Sequence, residues 1–278
     1  EALRAALGPA RPARIHVLDG LIPGTEARFT ASQLVPVLSS MLQIETAVAM
    51  AGPGQLDCAL QVDTGMNRQG LPLDQTRALV QAGDRLTHLK IDLIMTHLGS
   101  ATLPADPRNQ TQLEAFRGIR QMFPKARASL AASAGIFLGP DYRFDLVRPG
   151  ISLYGGGPEE RPDPRLEAVA TLSAPLMDIR HVPPGSTIGY GPSMVVDRAT
   201  RVGLVGAGYA DGLIRAAKGH SRAWVAGALR RVLIVTMDLI VIDLEDAVAP
   251  SAKPAARRTC RSGSANALKS AVFQIPRF

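Results

Sequence analysis

From residue 1 to about 155, short β-rich runs alternate with segments of helical period, and this alternation limits the possible folds more than any other feature of the chain. "ARIHVLDG" reads as a strand followed by a loop, and "QLVPVLSS" as a strand leading into a helix, "MLQIETAVAMAG", that stops at Gly52. "DCALQVDTG" is a strand, "LDQTRALVQAG" a helix with Gly83 past its end, "LKIDLIMTHLG" a strand and "NQTQLEAFRGIRQMF" a helix that ends before Pro124. "RASLAASAGIF" and "RFDLVRPGISLYG" are two further strands. Near-continuous apolar strands joined by helical crossovers call for a parallel sheet covered on both faces. Six strands are expected, whereas a closed (β/α) barrel takes eight. The reading is therefore either an open sheet or a barrel short of two units, and "EALRAALGPA", which looks like the last turns of a helix already under way, favours the second.

The texture changes after the Pro-rich, charged joint "PEERPDPR". "AVATLSAPLMDIRHV", "STIGYG", "RATRVGLVGAGYADG", "AWVAGALRRVLIV" and "TMDLIVIDL" are strand-like runs with turns between them and no helical period. The expected organisation is a partial barrel over 1–157, an all-β domain over 166–245, and a basic, disordered tail over 246–278. The formal charge of +7 is concentrated in that tail, where Lys253, Arg257, Arg258, Arg261, Lys269 and Arg277 have no acidic counterpart. The body is nearly neutral, and the tail carries basic residues without interleaved aromatics, so a nucleic-acid partner is not expected.

With 46% hydrophobic and 20% charged residues the chain is globular rather than disordered. No apolar run approaches the roughly eighteen residues of a membrane span, and the N-terminus lacks the apolar core of a signal peptide. A cytoplasmic protein with no membrane partner is expected. Cys58 and Cys260 are too few for a disulfide framework, and the scattered histidines (His16, His88, His97, His181, His220) show no metal-ligand spacing, so no metal is expected.

In barrels the working residues sit at the C-terminal strand ends and in the loops that follow. Here those positions hold Asp63, Thr64, Asn67 and Arg68 in "VDTGMNRQG", His97 in "MTHLGS", Ser133 and Gly135 in "ASAGIF", and Arg148, Gly150 and Ile151 in "LVRPGISLYG". Each has an alternative taken alone: Arg68 as a surface arginine capping loop carbonyls, His97 as a structural histidine, Ser133 as a turn cap. As a set they form an anion site, in which the Ser133 hydroxyl and backbone N–H groups near Gly150 and Ile151 cradle a phosphate and Arg148 stands beside it. There is no GxGxxG and no Walker loop.

Read in order, "VDTGMNRQG", "MTHL", "SAGI", "RPGISLYG", "PPGSTIGYG", "GYADG" and "MDLIVIDL" resemble alanine racemase, over residues 12 to about 245. The resemblance implies a TIM-type barrel that holds pyridoxal 5'-phosphate (PLP) on a lysine, a C-terminal β domain, and a homodimer with shared active sites. The activity implied is L-alanine to D-alanine interconversion by two-base proton transfer, which supplies D-alanine to the cell wall. Tyr209 of "GYADG" matches the tyrosine that serves one face of alanine in the partner subunit's site; its alternative is a core tyrosine in a turn. Arg68 matches the arginine that places the substrate carboxylate, His97 a histidine that orients the arginine matching Arg148, and Met237 and Asp238 a pair whose backbone lines the substrate site. A buried strand end is the alternative for that pair. A guanidinium beside the pyridine nitrogen can donate a hydrogen bond but not a proton, which keeps the ring a weaker electron sink. A phenol titrates near 10, so a tyrosine base needs positive charge nearby.

The family pattern is not met throughout. The cofactor lysine lies at the end of the family's first strand, and none of Lys90, Lys125, Lys218, Lys253 and Lys269 follows an apolar strand in that context. "ARIHVLDG" matches the third family strand. Ala132 stands where an asparagine usually precedes the phosphate serine, the loop before "TMDLIV" is short, and the basic tail replaces the expected C-terminal strands, as a reading-frame shift would produce. The expectation is an incomplete chain with exposed sheet edges, poor stability and little activity alone. A non-catalytic or partner-binding chain and a racemase of another amino acid remain alternatives.

Overall fold

The computed structural model describes residues 1–8, 13–161, 163–169, 171–191, 194–245 and 270–273. The chain divides into two units, the first formed by Glu1–Leu153 and Gly157–Arg161, the second by Tyr154–Gly156 and Pro162–Phe278.

The first unit opens with helix α1 (Ala2–Leu7) and carries five parallel strands in sequential order: β1 (Ile15–Val17), β2 (Leu34–Leu38), β3 (Leu56–Gln61), β4 (Leu89–Met95) and β5 (Arg127–Ser129). The main crossovers are α3 (Met41–Ala51), α4 (Leu73–Ala82) and α5 (Arg108–Met122). The start of α3 is fixed by Ser40, whose hydroxyl accepts the Gln43 N–H, and α4 stops where Gly83 turns left-handed at φ 71°.

Alternation along the strands explains why both sheet faces are apolar. Leu38, Leu60 and Ile94 join Leu113, Phe116 and Ile119 of α5 in the main core, while their neighbours Val37, Ala59, Leu93 and Met95 form a second cluster that Leu146 covers. Each such side chain taken from water contributes about 1.5–3 kcal/mol. Thus α5 is held to the sheet by several large apolar groups, and Phe144 packs edge-on against Phe116 at 5.1 Å.

Three local expectations are corrected in this unit. The segment read as a loop after β1 contains a short helix, α2 (Glu26–Ala31), which buries Phe29. The segment read as a sixth strand is reduced to a single parallel bridge between Ala132 and Arg148, followed by a 3-10 turn at Ile151–Tyr154. The cause is local: Phe144 sits at φ 49°, and Pro149 has no N–H to continue a ladder. The sheet is therefore open, with β1 and β5 at its edges. "SAGI" is likewise not strand but a one-turn helix, α6 (Ser133–Ile136).

The second unit is a closed antiparallel barrel in the order β10-β7-β6-β11-β8-β9. Its strands are β6 (Leu172–Val182), β7 (Thr200–Val205), β8 (Arg222–Val225), β9 (Ala228–Val235), β10 (Ile240–Asp243) and β11 (Ser270–Phe273). "AWVAGALRRVLIV", read as one run, is a hairpin: Val225 pairs with Ala228 across the two residues Ala226 (φ 49°) and Gly227 (φ 78°), the positive-φ pair that two-residue hairpins require. Val205, Val225, Val232, Ile240 and Ile242 are buried within one cluster of this unit.

The expected disordered tail also needs correction over four residues. Ser270–Phe273 pairs with β6 on one side and β8 on the other, and so completes the ring. Two unsatisfied strand edges are a stronger local driver than the composition of the segment that fills them. The rest of that tail call, over 246–269 and 274–278, lies outside the described residues.

Candidate active site

At the C-terminal end of the parallel sheet, the loop after β3 is fixed first by its own aspartate. Asp63 Oδ1 accepts the N–H groups of Gly65 (2.8 Å) and Met66 (2.9 Å), and Asn67 turns the chain at φ 56°. The loop returns through Gly70 at φ 129°, where a Cβ would lie 2.6 Å from Asp63 N and 2.8 Å from Val62 C, so only glycine fits. Arg68 stands exposed in this loop and makes no hydrogen bond among the described residues, which removes the capping alternative.

Arg148 is held by main chain. Its Nη1 donates to Ser129 O at 3.0 Å and Ser129 Oγ at 2.5 Å, and its Nη2 donates to Thr96 O at 2.6 Å and Leu130 O at 3.3 Å. Its own backbone N–H bonds Ala131 O at 2.9 Å. Burial pulls its pKa down to about 10, which still leaves it charged at neutral pH. The ends of β4 and β5 therefore form a carbonyl clamp around a cation that has no carboxylate partner among the described residues.

His97 Nδ1 lies 3.5 Å from Arg148 Nη2. A guanidinium only donates, so this contact suits an imidazole whose Nδ1 is unprotonated. Burial, followed by the charges of Arg148 and Arg68, pushes the His97 pKa down to about 4. The ring is neutral at pH 7, and because the unfolded ring takes up its proton near 6.5, its contribution to stability is complete above that pH and falls away as pH drops toward 4.

Ser133 begins α6 without capping it; its Oγ accepts the N–H of Gly150 at 2.8 Å and of Ser152 at 3.3 Å instead. With both acceptor positions engaged, the hydroxyl hydrogen is left to donate. Ser133 is buried, and Ile151 next to Gly150 is exposed. A Cβ on Gly135 would press on Ala131 Cβ and Leu98 Cδ1 at 3.2 Å, so glycine lets this turn pack closely on the strand ends.

In the second unit, Tyr209, Met237 and Asp238 come together through backbone. Tyr209 N donates to Thr236 O (2.9 Å) and Ala210 N to Met237 O (3.0 Å), while Asp211 Oδ2 accepts the Gly208 N–H at 2.9 Å and closes the turn. Tyr209 and Met237 are 44% and 52% exposed, which rules out the core-tyrosine and buried-strand-end alternatives.

The sequence reading passed over Gln112. On α5, Asn109, Gln112, Leu113, Phe116 and Ile119 share one buried stripe, so two amides at apolar positions were the available signal. Gln112 Nε2 donates to Thr64 Oγ1 (3.2 Å) and His97 O (3.0 Å), and its Oε1 accepts Gly99 N at 2.9 Å. Among the described residues, no group of three or more His, Cys, Asp or Glu could hold a metal ion, and no helix is long and apolar enough to cross a membrane.

Comparison with known proteins adds the following. The family model "Alanine racemase, N-terminal domain" matches residues 1–158, and "Alanine racemase, C-terminal domain" matches 169–264, which carries the likeness past residue 245 into the stretch read as divergent. The biosynthetic alanine racemase of Agrobacterium fabrum is 41% identical over 250 residues, 85% of this chain and 64% of that protein. The alanine racemase of Methylobacterium sp. is 40% identical over 262 residues, 93% of this chain and 71% of that protein. The chain thus spans roughly two thirds of the length of these relatives, and less than that for the first. Among solved structures, alanine racemase from Bartonella henselae with covalently bound pyridoxal phosphate superposes with a TM-score of 0.81 at 27% identity, covering 99% of this chain and 74% of that one. Biosynthetic alanine racemase from Pseudomonas aeruginosa gives 0.81 at 28% identity, covering 100% and 73%.

Proposed function

This chain belongs to the alanine racemase family, and from that premise we propose that it carries most of an active site that interconverts L- and D-alanine with PLP. The observation that carries the reading is the clamp on Arg148: a fixed, charged, donor-only group beside a neutral histidine, at the strand ends where a ring nitrogen needs a partner that cannot protonate it. The donor set fits the cofactor. Ser133, with its hydroxyl hydrogen left to donate, and the backbone N–H of Ile151 would hold the phosphate, while Gly150, its own N–H given to Ser133 Oγ, would fix the serine in place; Arg148, oriented by His97, would hold the ring nitrogen. PLP, when bound, supplies the electron sink that acidifies the α-hydrogen.

The remaining roles belong to side chains of this protein. Arg68, exposed and without a carboxylate partner among the described residues, pairs with the substrate carboxylate, and the backbone at Met237 and Asp238 bounds the substrate. The Tyr209 phenol takes or returns the α-proton on one face, in the barrel site of a second copy within a homodimer. D-Alanine made in the cytoplasm in this way would serve wall synthesis.

The placement of the lysines favours a second reading, that the 278 residues alone are a non-catalytic or partner-binding chain. In the first unit, Lys90 is the second residue of β4 and is bound to Asp57 at 3.1 Å, and Lys125 precedes β5, so both sit at the end of the sheet away from Arg148. In this reading, a lysine for the opposite face of alanine and for the cofactor aldehyde is not among the two of the first unit. We expect no detectable α-hydrogen exchange of alanine in D₂O from the chain with PLP, and clear exchange once the lysine-bearing segment of a family relative is fused to it. In that fusion, Tyr209→Phe should lower the rate by about a hundredfold or more. Exchange by the chain alone at the fusion's rate removes the argument from the lysines, and a folded, PLP-binding fusion that leaves alanine untouched overturns the racemase reading. Running serine and lysine beside alanine separates a racemase of another amino acid.

The phosphate cradle has its own test. Ser133→Ala should weaken PLP binding by about tenfold or more, the equivalent of one charge-assisted hydrogen bond, and leave the affinity for pyridoxal unchanged. Equal losses for both ligands would take Ser133 out of phosphate contact.

A further inference from the structure

Three contacts single out Gln112. It is 2% exposed, it lies on α5, and its one amide reaches two separate loops of the candidate site. The partners fix its orientation: Gly99 N can only donate and His97 O can only accept, so Oε1 faces Gly99 and Nε2 faces His97 and Thr64. Thr64 follows Asp63 at the root of the loop that carries Arg68. Its hydroxyl also meets that of Thr96 at 2.8 Å, and the carbonyl of Thr96 grips Arg148. One side chain thus ties the root of the Arg68 loop, the backbone of His97 and the Thr96 segment to a helix that Leu113, Phe116 and Ile119 anchor in the core.

We propose that Gln112 is a positioning residue of this site, setting the spacing between the loops that carry Arg68 and His97 through Thr64 and main-chain groups. The assignment deepens the reading given above and concerns the same site, but its test needs neither turnover nor cofactor, so the two can fail independently. The effect travels through hydrogen bonds.

The experiment uses the full chain, with Gln112→Met as the isosteric variant that keeps helix propensity and volume. His97 is followed by ring NMR titration and the loops by amide hydrogen exchange. In Gln112→Met the His97 midpoint should rise by about one unit or more as its loop admits water, and Gly99 exchange should quicken about tenfold or more, with β3 and β4 still protected. Thr64→Val cuts the ties of the Arg68 loop to Gln112 and to the Thr96 hydroxyl, and spares those of Gln112 to His97 and Gly99. It should quicken exchange at Gly65 and Met66 about tenfold and leave Gly99 and the His97 midpoint as in the parent. Unchanged Gly99 exchange and an unchanged His97 midpoint in folded Gln112→Met overturn the proposal, as does exchange that rises equally throughout both strands. Should Gln112→Met not fold, Thr64→Val decides: unchanged exchange at Gly65 and Met66 overturns the link.

Discussion

Replacing Gly208 with alanine removes the turn that presents Tyr209. The new Cβ would overlap the main-chain carbonyl of Met237 and lie 2.5 Å from Thr236 O, and main chain on a neighbouring segment cannot rotate away as a side chain can. The same movement would break Tyr209 N to Thr236 O and Ala210 N to Met237 O, the two bonds that register the turn against the 236–239 segment. Overpacking and two lost hydrogen bonds together cost about 3 kcal/mol or more, a fall of about 12 °C or more in the unfolding midpoint of a unit this size. Gly212, one turn later at φ 92°, has open space where its Cβ would go, so Gly212→Ala should cost only about 1 kcal/mol of backbone strain. Calorimetry on both variants decides it: equal midpoints for Gly208→Ala and the parent would mean that the close approach to Met237 is not rigid.

The second large effect falls on Arg148. Arg148→Leu leaves the carbonyls of Thr96 and Leu130 and the Ser129 hydroxyl without their shared donor, at about 1–3 kcal/mol for each group that water cannot reach, while Ser129 O keeps the Thr96 N–H at 3.1 Å. A total of about 3 kcal/mol or more is expected, together with loss of measurable PLP affinity, read by absorbance titration and denaturant unfolding. Arg148→Lys should recover little of either, because one ammonium has three donors on a single point and cannot span carbonyls from two strands. A lysine variant as stable as the parent would show that charge alone, not the fork, holds the strand ends.

Much of the site was legible because its residues follow strands, where a polar group after an apolar run has few structural uses. Arg148, His97, Ser133 and Gly150 were singled out in that way, and the structure pairs Arg148 with His97 and Gly150 with Ser133. Gln112 was not, since a helix sequence shows which face is buried but not that a buried amide has three partners waiting in loops far away in sequence. The sixth strand failed for a local reason: "RFDLV" alternates well enough, but Phe144 at positive φ and Pro149 without an N–H leave one bridge. The strand at Ser270–Phe273 failed for a non-local one. Four residues in an Ala, Ser and Arg background carry little β signal, and their place is set by the edges of β6 and β8, about ninety-five and fifty residues earlier.

The grip on Arg148 also has a consequence for how this protein can vary. Three of the four oxygens that grip it are peptide carbonyls, which every amino acid supplies alike. Substitutions at Thr96 or Leu130 that keep the strand ends in place therefore leave the arginine's seat intact, and of the four oxygens only the Ser129 hydroxyl can be deleted by a point mutation. A charge seated in backbone is sheltered from sequence drift, so related chains can diverge widely around this arginine and still hold it in the same way.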